Sequence, residues 1–268
     1  MSRSFDLLHE AMLVARKCTT GRSVAPRPGT GEKDAFARED RAAGKRQETL
    51  LEAFAREAGV WHDQADREIE NCLGPAFEGG ETKAYFDEAN CLAVKLITPS
   101  YYAQPLWNLE RIILHNRYFP DSPLKLVGFG RTVDDWGCGP MFVLKVEQPL
   151  VKIERSATTD EIDAYMTGLG CRQFRPETWL SADGEAVISD LNPENAVIDQ
   201  LGNVRVIDAD LRLNTPRLGY GGDVKASIIL CIAAERVYSG DSLRLQGPGA
   251  SGLCASRWTF AVRTACEA

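Results

Sequence analysis

Apolar residues along this chain keep helical spacing in five stretches and strand-like alternation or short apolar runs in several others. The opening "MSRSFDLLHEAMLVARK" sets its apolar residues at helical spacing among charges, which predicts a short amphipathic helix over 1–17. The following "CTTGRSVAPRPGTGEKD" is rich in Gly, Pro, Ser and Thr and reads as a linker. From Arg38 to Gly59, the residues Leu50, Leu51, Phe54 and Ala58 fall near i, i+3/i+4 spacing, predicting a helix with one buried stripe and a solvated charged face. Between 73 and 97, two short runs, Lys83 to Phe86 and Cys91 to Ile97, flank the turn-like "DEAN" and predict a β-hairpin. A helix begins after Pro105, carries Leu106, Leu109, Ile112 and Ile113 on one face, and stops at Pro120.

Two further strands follow around a glycine-containing turn in "LKLVGFGRTVDDWGCGPMFVLKVEQPLV", with Pro149 ending the second. Thr158, with Glu161 three residues on, forms a capping-box start for a helix that reaches Gly168 to Gly170. Then "AVISDLN", "NAVID" and "VRVIDAD" read as short strands, the last two separated by the turn "QLGN". In the tail, "DVKASIILCIAAERVY" is a clear helical candidate. No internal repeat is evident.

Composition narrows the class. With 268 residues, 44% of them apolar, the chain can bury one large core or two modest ones, which fits a single bilobed domain with an appendage. A net charge of −7 and a pI near 5.2 give no general nucleic-acid footprint, because neutralising phosphates needs a basic face. The sequence has no run of 18 apolar residues and no signal-peptide block, so a cytoplasmic protein without membrane contact is expected. Eight scattered cysteines with no CxxC pair, and only three histidines, predict reduced thiols packed as small apolar residues rather than a structural zinc site.

The chemistry concentrates in Asp190 to Asp210, "DLNPENAVIDQLGNVRVIDAD", together with a strand-end lysine, Lys95, and a glutamate on the following helix, Glu110. These are the parts needed to move a phosphoryl group from ATP. A cation pairs the nucleotide phosphates and a carboxylate fixes that cation. An Asp and an Asn hold Mg²⁺, and a separate Asp orients the attacking hydroxyl. In such a reaction the protein supplies position and charge rather than covalent chemistry.

At these residues the sequence resembles the protein kinase superfamily. "DLNPEN" differs at one position from that family's catalytic-loop "DLKPEN", "LAVK" is similar to its "VAIK", and "VID" stands in the place of its metal-binding "DFG". The separations agree as well: five positions from Asp190 to Asn195, thirteen from Asn195 to Asp208, and 95 from Lys95 to Asp190. More narrowly, "RQETLLEAFAREAG", "EGGETKAYF", "ERIILHNRYFPDSPLKLVGFG" and "VEQPLV" resemble the kinase-like domain of polyvalent proteins of phages and conjugative elements, over about 45 to 220.

This resemblance implies an α+β, bilobed protein-kinase-like fold, with an antiparallel sheet and one helix in the first lobe and a reduced, mainly helical second lobe. It implies Asp190 as the catalytic Asp, Asn195 and Asp208 as Mg²⁺ ligands, Lys95 as the phosphate-pairing lysine and Glu110 as its partner. Gly79 and Gly80 would cover the phosphates, Ala93 would line the nucleotide, and Glu147 and Gln148 in "VEQPLV" would present backbone to the adenine. The implied division is an N-terminal helix and linker over 1–44, a first lobe with its preceding helix over 45–145, a hinge and second-lobe core over 146–222, and a helix and tail over 223–268.

Several positions depart from the family pattern. The glycine-rich loop is reduced to Gly79-Gly80, Ile188 and Ser189 replace the usual His and Arg, Asn192 replaces a lysine, and "DAD" replaces "DFG", which makes Asp210 a candidate to bind or bracket metal. No APE motif follows Asp208. The expected partners are ATP and a hydroxyl acceptor, on protein Ser/Thr/Tyr by preference. Two alternatives stay open: a pseudokinase acting as a nucleotide-binding or scaffold module, and a small-molecule kinase, which "VIDAD" favours.

Overall fold

Strand pairing in the first half of the chain follows the alternation of its apolar residues. The computed structural model describes residues 3–18, 32–79, 82–99, 104–133 and 139–214. Two compact units divide the chain, 1–226 and 227–268, and every described residue belongs to the first. The helix expected after residue 222 therefore lies outside the described residues, as do Gly80 and most of the linker.

A six-stranded sheet organises residues 61–149. Its strands are β1 (Trp61–His62), β2 (Phe77–Glu78), β3 (Thr82–Asp87), β4 (Leu92–Ile97), β5 (Lys125–Arg131) and β6 (Phe142–Pro149), in the order β1-β5-β6-β4-β3-β2. The expected hairpin is β3–β4, paired from Thr82↔Ile97 to Asp87↔Leu92. The sheet is antiparallel except at its edge, where β1 runs parallel to β5. Side chains of a strand alternate between faces. One face therefore carries Tyr85, Val94, Leu96 and Val143, which bury against Ala65 and Ile69 of helix α3 (Ala65–Leu73). Ala93, Lys95 and Ile97 point the other way, in register with Gln148, Val146 and Leu144. That alternation is what directs Lys95 away from the apolar cluster.

Three more helices complete this half: α1 (Arg3–Arg16), α2 (Glu32–Glu57) and α4 (Pro105–Tyr118). α1 and α2 pack on β5 and on each other, and α4 packs against both. α1 buries Leu8, Ala11, Met12 and Ala15, the stripe its periodicity predicts. α2 starts inside the segment read as linker, and its buried stripe runs through Gly44, Gln47, Leu51 and Ala55, while Leu50 and Ala58 are exposed. The stripe is displaced because a polar residue belongs to it. The Gln47 amide donates to Gln104 Oε1 and its Oε1 accepts from the Leu106 N–H, so this side chain caps the start of α4, where Gln104 makes no cap of its own.

β1 approaches β5 so closely that the facing positions of β5 are glycines. A Cβ on Gly130 would stand 2.4 Å from the His62 carbonyl oxygen, and one on Gly128 would stand 2.6 Å from that of Val60. Gly130→Ala is expected to destabilise the fold by about 1–3 kcal/mol, because the obstruction is backbone and cannot swing aside. Gly168→Ala meets nothing within 4 Å and should be neutral or slightly stabilising. Urea unfolding midpoints of the two variants check the contrast.

Among the described residues, those from 150 to 214 depart from the mainly helical expectation. Residues 150–214 hold one helix, α5 (Thr159–Gly168), and seven strands: β7 (Ile153–Ser156), β8 (Arg172–Arg175), β9 (Thr178–Leu180), β10 (Ala186–Ser189), β11 (Ala196–Asp199), β12 (Val204–Val206) and β13 (Asp210–Leu213). They form two sheets, β13-β10-β9-β8 and β12-β11-β7. Closely spaced turns keep the segments too short for helix: Glu177, Gly184 and Gly202, all at positive φ, sit between β8 and β9, β9 and β10, and β11 and β12. α5 has the expected capping box, with Thr158 Oγ1 accepting from the Glu161 N–H and the Glu161 carboxylate accepting from the Thr158 N–H.

Candidate functional site

Two chain crossings between the small sheets bring the acidic motif together. β10 pairs β13 with Ser189 opposite Asp210, and β11 pairs β12 with Ala196 opposite Val206. The loops 190–195 and 207–209 each pass from one sheet to the other and are therefore held side by side. The N–H groups of Ile207 and Asp208 donate to the Asn195 carbonyl at 2.9 and 3.3 Å, which fixes Asn195 against Asp208.

Asp190 ends β10 with φ near +60°, a left-handed conformation that Asp tolerates better than most residues. The loop locks it there. Asn195 Nδ2 donates to the Asp190 carbonyl (2.7 Å) and carboxylate (3.0 Å), Asn192 Nδ2 donates to the other carboxylate oxygen (3.1 Å), and Leu191 is buried beneath. Asn192, standing where a lysine was expected, thus orients Asp190. With its nitrogen committed, Asn195 has Oδ1 left for a cation. Asp210 is engaged elsewhere: its carboxylate accepts from Ser189 Oγ at 3.0 Å and from Arg212 at 2.7 Å. Its bonds make it a brace for β10 and β13.

Lys95 reaches this point from the first sheet, its Nζ donating to the Ile207 carbonyl at 2.8 Å. Burial depresses the Lys95 pKa, with Asp208 opposing the shift and Arg111 adding to it. Glu110 does not make the expected pair with Lys95. It meets Arg16 of α1 at 3.7 Å, and burial raises its pKa against the pull of that arginine. The α4 side chain that faces the acidic loop is the next one, Arg111: Nη2 donates to Asp208 Oδ1 at 2.5 Å and Nε to the Ala209 carbonyl at 2.8 Å. One residue is about 100° around a helix, so the exchange of Glu110 for Arg111 is a matter of helix rotation. Arg111 carries no sequence signal beyond being a cation inside the apolar run of "LERIILHN".

The remaining expected residues lie nearby. Ala93 is buried on β4 opposite Gln148. Glu147 pairs with Lys125, and the buried Gln148 side chain donates to the Ser122 carbonyl at 2.9 Å. The same carbonyl accepts from His115 Nε2 at 2.8 Å, and Ser122 Oγ donates to the Val206 carbonyl at 2.5 Å. Ser122 thus ties α4, β6 and β12 into one unit. Gly79 turns the β2–β3 connection, its N–H donating to the Thr82 carbonyl at 2.8 Å.

The donor set fits Mg²⁺. Asp208 and Asn195 offer hard oxygens at adjoining positions, and Mg²⁺ ordinarily takes one or two protein oxygens and completes its shell with substrate phosphates and water. Among the described residues, no cluster of three or more His, Cys, Asp or Glu forms a cage.

In this mixed α+β fold, Lys95 and the two loops that carry Asp190, Asn195 and Asp208 stand together. Residues 44–215 match the family model Kinase-PolyVal, described as "Serine/Threonine/Tyrosine Kinase found in polyvalent proteins". The chain belongs to that family, whose name indicates a kinase-type phosphotransferase. No curated protein and no solved structure matches the chain. No helix among the described residues is long and apolar enough to cross a membrane.

Proposed function

We propose that the chain transfers the γ-phosphoryl group of ATP to a hydroxyl, with protein Ser, Thr or Tyr as acceptor, within a bilobed kinase-like arrangement. The first lobe is the six-stranded sheet with its helices, and the second comprises the two small sheets with α5. The observation that carries this reading is the side-by-side pair of loops presenting Asp190, Asn195 and Asp208, met from the first sheet by Lys95. Asp190 accepts the acceptor's proton as the new O–P bond forms and the γ-phosphoryl leaves the β-phosphate oxygen. Lys95 pairs phosphate oxygens, and Ala93 with the main chain of Glu147 and Gln148 seats the adenine. Gly79 covers the phosphates with backbone. Asn195 and Asp208 would hold Mg²⁺, which neutralises charge on the phosphates when bound.

A second reading, a nucleotide-binding module without transfer, is favoured by the engagement of Glu110 by Arg16 rather than Lys95. Both readings require binding. Mg-ATP at a hundredfold excess over its Kd is expected to stabilise the protein by about 2.7 kcal/mol, and Asp208→Ala to lose most of that gain. Thermal unfolding with and without Mg-ATP checks this, and an unshifted wild type would sink both readings. Transfer from labelled ATP, scored on the protein itself, on added protein and on a small-molecule panel, then identifies the acceptor class.

A further inference from the structure

Arg111 holds the carboxylate that a metal–nucleotide complex would need. Its guanidinium lies on Asp208 Oδ1 and on the Ala209 carbonyl, with a side chain only 11% exposed. Lys95 meets the adjoining Ile207 carbonyl, so two cations converge on residues 207–209, near enough that Arg111 disfavours the charge on Lys95. Like charges gathered over one carboxylate suit a polyanion with several oxygens to share between them. The loop 190–195 brings Asn192 where a lysine was expected, and that amide is committed to Asp190, so this loop supplies no cation of its own for the transferred phosphate. A guanidinium and a metal ion also compete for Asp208. When metal and nucleotide enter, the arginine must yield that carboxylate, and its planar fork matches phosphate oxygens as well as it matches carboxylate oxygens.

We propose that Arg111 is a phosphate-binding residue that exchanges Asp208 for the polyphosphate of the entering nucleotide. In the nucleotide-free protein it neutralises Asp208 and keeps the 207–209 segment in place. In the complex it stands beside Lys95 as a second cation on the phosphate chain and leaves Asp208 to the metal. The inference rests on the nucleotide reading of the site, and its test separates the two.

Binding of adenosine, ADP and ATP in EDTA, and of Mg-ATP, is measured by titration calorimetry on the full chain as wild type, Arg111→Gln and Arg111→Lys. Arg111→Gln is expected to weaken ADP and metal-free ATP by about 10- to 100-fold, the loss of charge-assisted bonds to phosphate, while adenosine stays within about twofold. Arg111→Lys should recover part of the loss. Mn²⁺ without nucleotide should bind Arg111→Gln more tightly than wild type, because a competing cation has been removed from Asp208. An equal loss for adenosine and ATP, or ATP and Mn²⁺ affinities that Arg111→Gln leaves unchanged while the wild type binds Mg-ATP, would overturn the role of Arg111 and leave the nucleotide reading standing. A wild type that binds none of these ligands overturns both.

Discussion

Asp190→Asn is expected to abolish most phosphoryl transfer while sparing nucleotide binding. The substitution keeps the size of the side chain; its single oxygen can accept from only one of Asn192 and Asn195, but the Asn195 bond to the residue-190 carbonyl is untouched and keeps the loop in place. What disappears is the negative charge that orients and receives the acceptor's proton. Transfer should fall by about a hundredfold or more, the range for removing a general base. Mg-ATP should still raise the melting temperature, because Lys95, Asn195 and Asp208 are untouched. Initial rates with labelled ATP, run beside thermal shifts, check the separation. Equal residual transfer in wild type and variant would assign the activity elsewhere and leave a binding module.

Acid should weaken the fold well before most carboxylates titrate, and His115 is the reason. The ring is 1% exposed, and burial lowers its pKa from 6.5 to about 4, only partly opposed by its bond to Ser122. The folded pKa lies below the unfolded one, so the unfolded chain binds the extra proton. The stabilisation is complete above pH 6.5 and drains as pH falls toward about 4, at up to about 1.4 kcal/mol per unit and roughly 3 kcal/mol in all. Urea unfolding at pH 7.5, 6.5 and 5.5 should give falling stabilities over the last interval. His115→Gln should flatten that decline even if its own stability at pH 7.5 is lower. A parallel decline in the variant would move the acid sensitivity to another group.

Much of this arrangement was legible in the sequence because it depends on local punctuation. Pro105 and Pro120 bracket α4, Thr158 with Glu161 starts α5, and the separations of Lys95, Asp190, Asn195 and Asp208 survive as neighbouring positions in space. Features set by tertiary contact were not legible. Gln47 looks like a surface residue until α4 needs a cap, and Glu110 looks like the partner of Lys95 until the rotation of α4 turns Arg111 inward instead. Trp61 and His62 form a strand only because β5 lies alongside with glycines facing them. The two-stranded turn around Glu177 is similar, since neither β8 nor β9 has the length or alternation to announce itself.

The placement of α1 bears on where this domain can be cut. The family match begins at residue 44, yet Arg16 of α1 is what meets the part-buried Glu110. A fragment trimmed to the matched residues would strip the cover of Leu8, Ala11, Met12 and Ala15 from α2, α4 and β5 and leave a greasy strip facing water. It would also orphan a carboxylate that burial already pushes toward its neutral form. The helix upstream of the matched region is thus a structural part of the domain, and its loss would leave a self-adhesive fragment.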